Sequence, residues 1–543
     1  MKTRKKLIAL TTLSVVTSVL LAAGQGQGTQ TTASSTAKLV QGWNLIGLSV
    51  TQETDITNLL PVEADGAQIY TYSTTNKNWT STKISKDGDT MKQSGSTKVK
   101  PLEGLWIYAP IAFELSISNN SVNKPTDTNG TENSVRNYGL RAFYGDYNSR
   151  NIYDINVDTM TLNDTIEVNG SGVDVTGPYG MDIVTDKFST TQIAYSLNRK
   201  DTAMDVIDLT NNNNILTTIN LPFKPRSTAV QNKHVHDYIL VSGNDKPMMS
   251  LIDANTHAVI RSYGIDDTTA VPDTQFGGSL ATGHPEWLMD NDRLILVDRV
   301  NQTINLYDKD SEIVLNTLNT ATAVHHVIHD NPLAGDLDKD TGNGIYYGIM
   351  EGSGTNGTAG PGIVKFTIDS NNTLTQTGIV QVDKTEAVGA HHAGTLSPDV
   401  KYIYLPTTSG NVYVFDTATL TQVNKFSAGK GAGHISFLKH SQKAVITNHY
   451  DTFVTVVNVT DATSNVVLGN VTVAGVDTTG TGQRLQAHTS GHSYDEKYFY
   501  SVASTDGVFY ELDIEKLNVT RTLQLPGTYP GAYINMGSFL ETK

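Results

Sequence analysis

The chain has 543 residues, of which 38% are hydrophobic and 17% charged, with 46 glycines and no cysteine. Without a cysteine sulfur there is no disulfide scaffold, zinc thiolate site, iron–sulfur cluster, covalently attached c-type haem, blue copper or binuclear copper A centre, so any metal takes His, carboxylate or carbonyl ligands. The formal net charge of −15 argues against nucleic acid or an anionic membrane as partner, and the length exceeds the roughly 250–300 residues at which single cores stop growing.

In chain order, Lys2, Arg4, Lys5 and Lys6 precede an apolar run from Leu7 to Leu21 that ends in Ala22-Ala23-Gly24. These are the parts of a secretory signal peptide over residues 1–23. The run falls short of the roughly 20 residues that span a bilayer; an uncleaved anchor is the alternative. Cleavage removes four positive charges and no negative ones, taking the net charge from −15 to −19, and leaves a periplasmic or secreted protein. Residues 24–38 have the composition of a flexible leader, and residues 119–134, with Asn-Gly, Pro, Thr and Asp, that of a linker. Between them, residues 39–118 hold Trp43, Trp79 and Trp106 and alternating runs such as Ile69-Tyr70-Thr71-Tyr72, which predict a small β domain packed around those rings. Its Gly42-Trp43-Asn44-Leu45-Ile46 string resembles the opening of a small domain carried by secreted bacterial proteins.

From residue 135 to 543 the sequence repeats. A β-branched or aromatic run ends in an acid or amide at Asp158, Asp208, Asp253, Asp308, Asp369, Asp416, Asn458 and Asp513, at intervals of 50, 45, 55, 61, 47, 42 and 55 residues. That period predicts an all-β fold, a β-propeller of seven or eight four-stranded blades, preceded by the small β domain. The first unit lacks an innermost strand and the chain ends in a strand-like segment, Gly531 to Met536. Pairing the two closes the ring and removes the exposed sheet edge. Ser397-Pro398-Asp399-Val400-Lys401-Tyr402-Ile403-Tyr404, followed by Gly410-Asn411-Val412-Tyr413-Val414-Phe415-Asp416, resembles the repeats of lactonase-like propellers, also called YVTN-type repeats. That resemblance implies blades and says little of chemistry.

All 14 histidines lie between His234 and His492. Seven share one phase of the repeat, at the start of five consecutive innermost strands: His284, His325, His326, His391, His392, His434 and His488. They are expected to ring one mouth of the central channel, where imidazoles suit copper, zinc, iron or nickel. A single strand histidine is more often a hydrogen-bonding partner for the next blade; seven in phase favour a metal site. Neighbours on a regular strand point to opposite faces, so both members of a His-His pair ligate only from an entry loop or a bulge. His449 follows a second strand on the same face and is an expected outer ligand or proton donor; Glu286 is the other candidate for proton handling. His329 and His492 are expected deeper or against a neighbouring blade, and His234, His236, His257 and His440 at the surface.

A propeller whose channel mouth collects seven histidines resembles the catalytic domain of nitrous oxide reductase. The resemblance implies a tetranuclear copper cluster bridged by inorganic sulfide, held by His284, His325, His326, His391, His392, His434 and His488. It implies reduction of nitrous oxide with electrons from a periplasmic cytochrome or cupredoxin. The first three units depart from it, with Gly177-Pro178-Tyr179-Gly180 and Arg226-Ser227-Thr228 at corresponding points, and the expected form is one without that family's cupredoxin domain, whose binuclear copper site needs cysteines. Two other readings stay open: a single-metal lactonase-like hydrolase, and a non-enzymatic surface or periplasmic interaction protein. A homodimer that covers the channel mouth fits any of these. The loop Asp336-Leu337-Asp338-Lys339-Asp340-Thr341-Gly342 spaces acids as a calcium site does, yet Thr341 and Tyr347 break the EF-hand pattern and a solvated acidic loop explains it as well.

Overall fold

The computed structural model describes the strands between residues 34 and 118, and residues 135–541 except segments 186–190, 232–236, 266–280, 330–340, 353–358, 387–393, 477–482 and 528–532. The expected signal peptide, the linker, the acids of the calcium-like loop, and His391, His392, His234 and His236 lie outside the described residues. The chain divides into two compact units, Met1–Thr126 and Asp127–Lys543. In the first, the Gly-Trp-Asn-Leu-Ile string is the strand Gly42–Gly47, paired antiparallel with Gly104–Ala109 in a five-stranded sheet.

The second unit holds eight four-stranded antiparallel sheets, which makes it an eight-bladed propeller and decides between the seven and eight blades that the repeat allowed. The repeated motif is the third strand of each blade, for example Ala203–Asp208, Met248–Asp253 and Asn411–Asp416. Its apolar residues are buried against neighbouring blades: Val206, Leu251 and Val414 are each at most 2% exposed. The closing acid or amide has a local task. Asp253 Oδ1 accepts the amides of Asn255 and Thr256, each at 2.8 Å, and Asp416 Oδ1 accepts that of Thr419 at 2.8 Å. A short side-chain acceptor that bonds the backbone two or three residues on builds an Asx turn, so it ends the strand and starts the hairpin. In the first blade Asn156, at 3.0 Å from the Thr159 amide, fills this position. Asp158 instead accepts the amides of Tyr138 and Gly139.

The ring closes as expected. The last strand, Ile534–Glu541, pairs antiparallel with Leu140–Asp146 and becomes the innermost strand of the first blade. Gly537 lies opposite Tyr144, where a Cβ would run into the Phe143 carbonyl, so the close approach of the two strands needs glycine there. A buried charge cluster in the eighth blade ties to this junction. Glu511, fully buried, accepts from Arg136 at 2.8 Å, from Thr520 at 2.7 Å and from Arg521. Arg521 also donates to the carbonyls of Val157 and Asp158 in the first blade. Burial alone would raise the Glu511 carboxyl, but the two arginines and Thr520 hold it down to about 2 from its ordinary 4.5.

A carboxyl with a depressed folded pKa stabilises the fold above its unfolded value, and that contribution is lost as pH falls from about 4.5 towards 2. Glu511→Gln leaves two arginines without their partner and is expected to cost about 3–5 kcal/mol at neutral pH. Urea unfolding of both proteins across the acid range checks this: the gap between them should narrow as pH drops, and a gap independent of pH would refute it.

Candidate metal centre

The innermost strands enter their blades with a break in the ladder. Register shifts fall at Pro178/Gly180, Pro225/Ser227, Val324/His326 and Ala432/Ile435. In the fourth and eighth blades, isolated bridges at Thr282 and Gln486 precede short strands, Glu286–Trp287 and Gly491–His492. A bulge leaves one residue unpaired and re-aims it. The residues so released, Tyr179, Arg226, His284, His325, His434 and His488, line one cavity of about 70 Å³, and Met536 of the closing strand joins them from the first blade. Seven of the eight blades thus contribute to one ring. The bulge at Val324/His326 puts His325 in the cavity lining, while His326 stays on the ladder opposite Ile349 and packs against His325 from behind.

The histidines form two groups. His284, His325 and His326 pack with ring centroids 4.9, 5.2 and 6.1 Å apart. His434, His449 and His488 pack at 4.3, 5.1 and 6.1 Å, His449 and His488 stacked, and each of these three offers a ring nitrogen within 4.8 Å of the others. Backbone bonds join the blades at both places: the His284 amide donates to the His325 carbonyl at 2.9 Å and the Leu485 amide to the His449 carbonyl at 2.7 Å. The two groups are close enough that His326 lowers the pKa of His434.

Hydrogen bonds set the tautomers. His449 Nδ1 donates to the Gln486 carbonyl at 3.0 Å, so in the neutral ring Nε2 carries the lone pair. Arg226 donates to His325 Nε2 at 3.1 Å, His325 Nδ1 lies 3.0 Å from His326 Nδ1, and His326 Nε2 lies 2.9 Å from the Gly394 carbonyl. This chain is satisfied with one proton per ring, each ring donating onward. Arg484 Nη1 lies 2.6 Å from His488 Nε2. A metal on His325 or His488 therefore takes over a lone pair that an arginine now uses. Burial, then the charge of Arg226, holds His284 and His325 well below the ordinary 6.5. Burial also brings His326 and His434 down to about 4. All four are neutral donors at physiological pH. A set of neutral imidazoles fits copper or zinc and not calcium or magnesium, which take oxygen ligands.

Of the expected residues, His284, His325, His326, His434 and His488 come together. His449, expected in an outer role or as proton donor, belongs to the trio with His434 and His488. Glu286 stands two residues beyond His284, paired with Ile295, and is not among the described residues lining the cavity; the surrounding protein pushes its carboxyl up to about 8. His329 faces Tyr346 at 6.2 Å, and His440 meets Glu496 at 3.0 Å with its ring largely exposed. His257 Nδ1 lies 3.1 Å from the Tyr195 hydroxyl. Sequence reasoning missed Arg199, Arg484 and Met536 as lining residues. A second register was available: the residue just after each blade's second strand is Tyr147, Arg199, Asn244, Arg299, Glu351, Thr407, His449 and Ser504 in turn. Neighbours in that series pair across blades, Arg199 with Asn244 at 3.1 Å and Arg299 with Glu351.

No protein-family model and no curated protein matches this chain. Among solved structures, a candidate 6-phosphogluconolactonase from Bacteroides fragilis is 15% identical, with a TM-score of 0.44, covering 64% of this chain and 97% of its own. Kuenenia stuttgartiensis hydrazine synthase is 12% identical with a TM-score of 0.42, over 66% and 99%. The C-terminal WD40 domain of Sif2 is 9% identical with a TM-score of 0.48, over 73% and 94%. The chain is a β-propeller whose structural neighbours include lactonase-like ones.

Gly433 is the position on which the trio most depends, because a Cβ there would fall inside the His449 ring at Nε2 and Cδ2. Gly433→Ala is expected to displace His449 and weaken cobalt(II) binding by about 10-fold or more, the scale seen when ligand-orienting contacts are lost. The absorption of the cobalt protein reads this directly, and unchanged affinity in a folded variant would refute it.

Proposed function

We propose that this chain is an exported copper-dependent reductase that converts nitrous oxide to dinitrogen and water. The observation that carries the reading is the convergence of six described histidines from four blades on one channel mouth, with the trio His434, His449 and His488 within 4.8 Å at their donor atoms. His284, His325 and His326 would complete the ligand set, with His391 and His392 from the sixth blade as sequence candidates. Bound copper with inorganic sulfide would supply the electrons that nitrous oxide, a poor ligand, accepts only from several metal ions acting together. The chain's own residues hold the imidazoles neutral, orient them through the Gln486 and Gly394 carbonyls, and enclose a cavity of about 70 Å³. Two electrons come from a cytochrome or cupredoxin outside the chain, and two protons enter from water. Glu286, whose carboxyl burial pushes up to about 8, is the candidate for proton handling, from outside the described cavity lining.

A second reading has support from the trio alone. Three imidazoles with room for a further ligand are also a mononuclear zinc site that activates water for hydrolysis. Anaerobic reconstitution with copper(I) and sulfide separates the two. The reductase reading expects several copper ions per chain by elemental analysis and loss of nitrous oxide, followed by gas chromatography with a reduced viologen as donor. His434→Ala and His488→Ala should bring that activity to background. One metal ion per chain, with nitrous oxide untouched, would overturn the reading in favour of hydrolysis.

A further inference from the structure

The cavity that receives the histidines is also lined by three guanidiniums, Arg199, Arg226 and Arg484, and by the Tyr179 phenol, and none of its described lining residues is a carboxylate. Arg299, close by, is neutralised by Glu351. Arg199 and Arg226 form no ion pair among the described residues. Arg226 spends its donors on the Thr282 carbonyl and on His325, and Arg199 reaches Asn244 and lies 4.0 Å over the Tyr179 ring. The Tyr179 phenol stands between two of these cations, under the Arg199 guanidinium and 3.4 Å from Arg484 Nη1.

Buried positive charge without a counter-charge is costly. An anion in the cavity relieves the repulsion, and guanidiniums with neighbouring hydroxyl and imidazole N–H groups are its natural donors. The room is small: at on the order of 10–15 Å³ for one water, about 70 Å³ takes a few water-sized atoms. A halide or a linear triatomic ion fits; a sugar phosphate or nucleotide does not.

We propose that the channel mouth is a binding site for one small inorganic anion of three heavy atoms or fewer, held by Arg199, Arg226 and Arg484 beside the histidines. The inference deepens the reductase reading, because azide is isoelectronic with nitrous oxide and the same guanidiniums would face the oxygen end of the substrate as it gains negative charge. It concerns residues that are present without metal, so it stands or falls separately.

The test uses the full chain after treatment with a chelator, titrated calorimetrically with azide, thiocyanate, chloride and sulfate at constant ionic strength in gluconate. Saturable binding of one anion per chain is expected, weakened at least tenfold by Arg226→Met and by Arg199→Met, and unchanged by Lys439→Met on the outer surface. Arg226→Lys, which keeps the charge, should bind in between and guards against a merely misfolded Arg226→Met. Absence of saturable binding in the unaltered protein, binding indifferent to both arginine variants, or tighter binding of sulfate than of azide would each overturn the proposal. If the anion binds but copper does not load, the reductase reading fails and this one stands; copper loading without anion binding in the metal-free protein has the opposite meaning.

Discussion

Everything at the channel mouth follows from the broken hydrogen bonding where an innermost strand enters its blade. A regular strand sends successive side chains to opposite faces, so an unbroken ladder could present only alternate residues to the axis. The register shift at Val324/His326 lets His325 and His326 meet within one cluster. The backbone groups that a break releases must find partners, and they find them in the next blade, as the His284 amide does on the His325 carbonyl at 2.9 Å. The same irregularity therefore aims the side chains and stitches adjacent blades together.

A ring made this way needs a closed propeller, since a slip of one blade would move every donor. Closure by Ile534–Glu541 on Leu140–Asp146 brings Met536 into the cavity, and the Glu511 cluster holds the end of the eighth blade against Val157 and Asp158 of the first. The charges are arranged with similar economy: the positive charge at the mouth sits on arginines, while desolvation keeps the imidazoles in the form that carries a lone pair.

Much of this was legible in the sequence. The third-strand motif was visible because burial fixes its apolar residues and the Asx turn fixes its last one, two constraints that every blade shares. The histidine phase was visible for the same reason: the entry residue has one location per blade, whatever its identity. What escaped was less periodic. Asp158 looked like a turn residue, yet its carboxylate serves Tyr138 and Gly139 while Asn156 makes the turn. Arg199 and His449 both follow a second strand, but the position holds seven different kinds of residue over the eight blades, and no composition rule marks it. Arg484 precedes its innermost strand, outside both of these registers, and only packing reveals it.

Size and charge together narrow what the site can process. Pockets for drug-sized organic ligands occupy on the order of 300–1,000 Å³ and are mostly apolar. The cavity here is about 70 Å³ and is lined by imidazoles, guanidiniums, a phenol and one methionine. A lactone would have to meet the histidines from outside this space, with its ring beyond the mouth. A linear molecule of three atoms enters it whole. For such a substrate there are few atoms to grip and little binding energy to be had from apolar contact, so discrimination must come from charge development during reaction. Guanidiniums placed within hydrogen-bond reach of the histidines, as Arg226 is of His325 and Arg484 of His488, are positioned for that kind of discrimination.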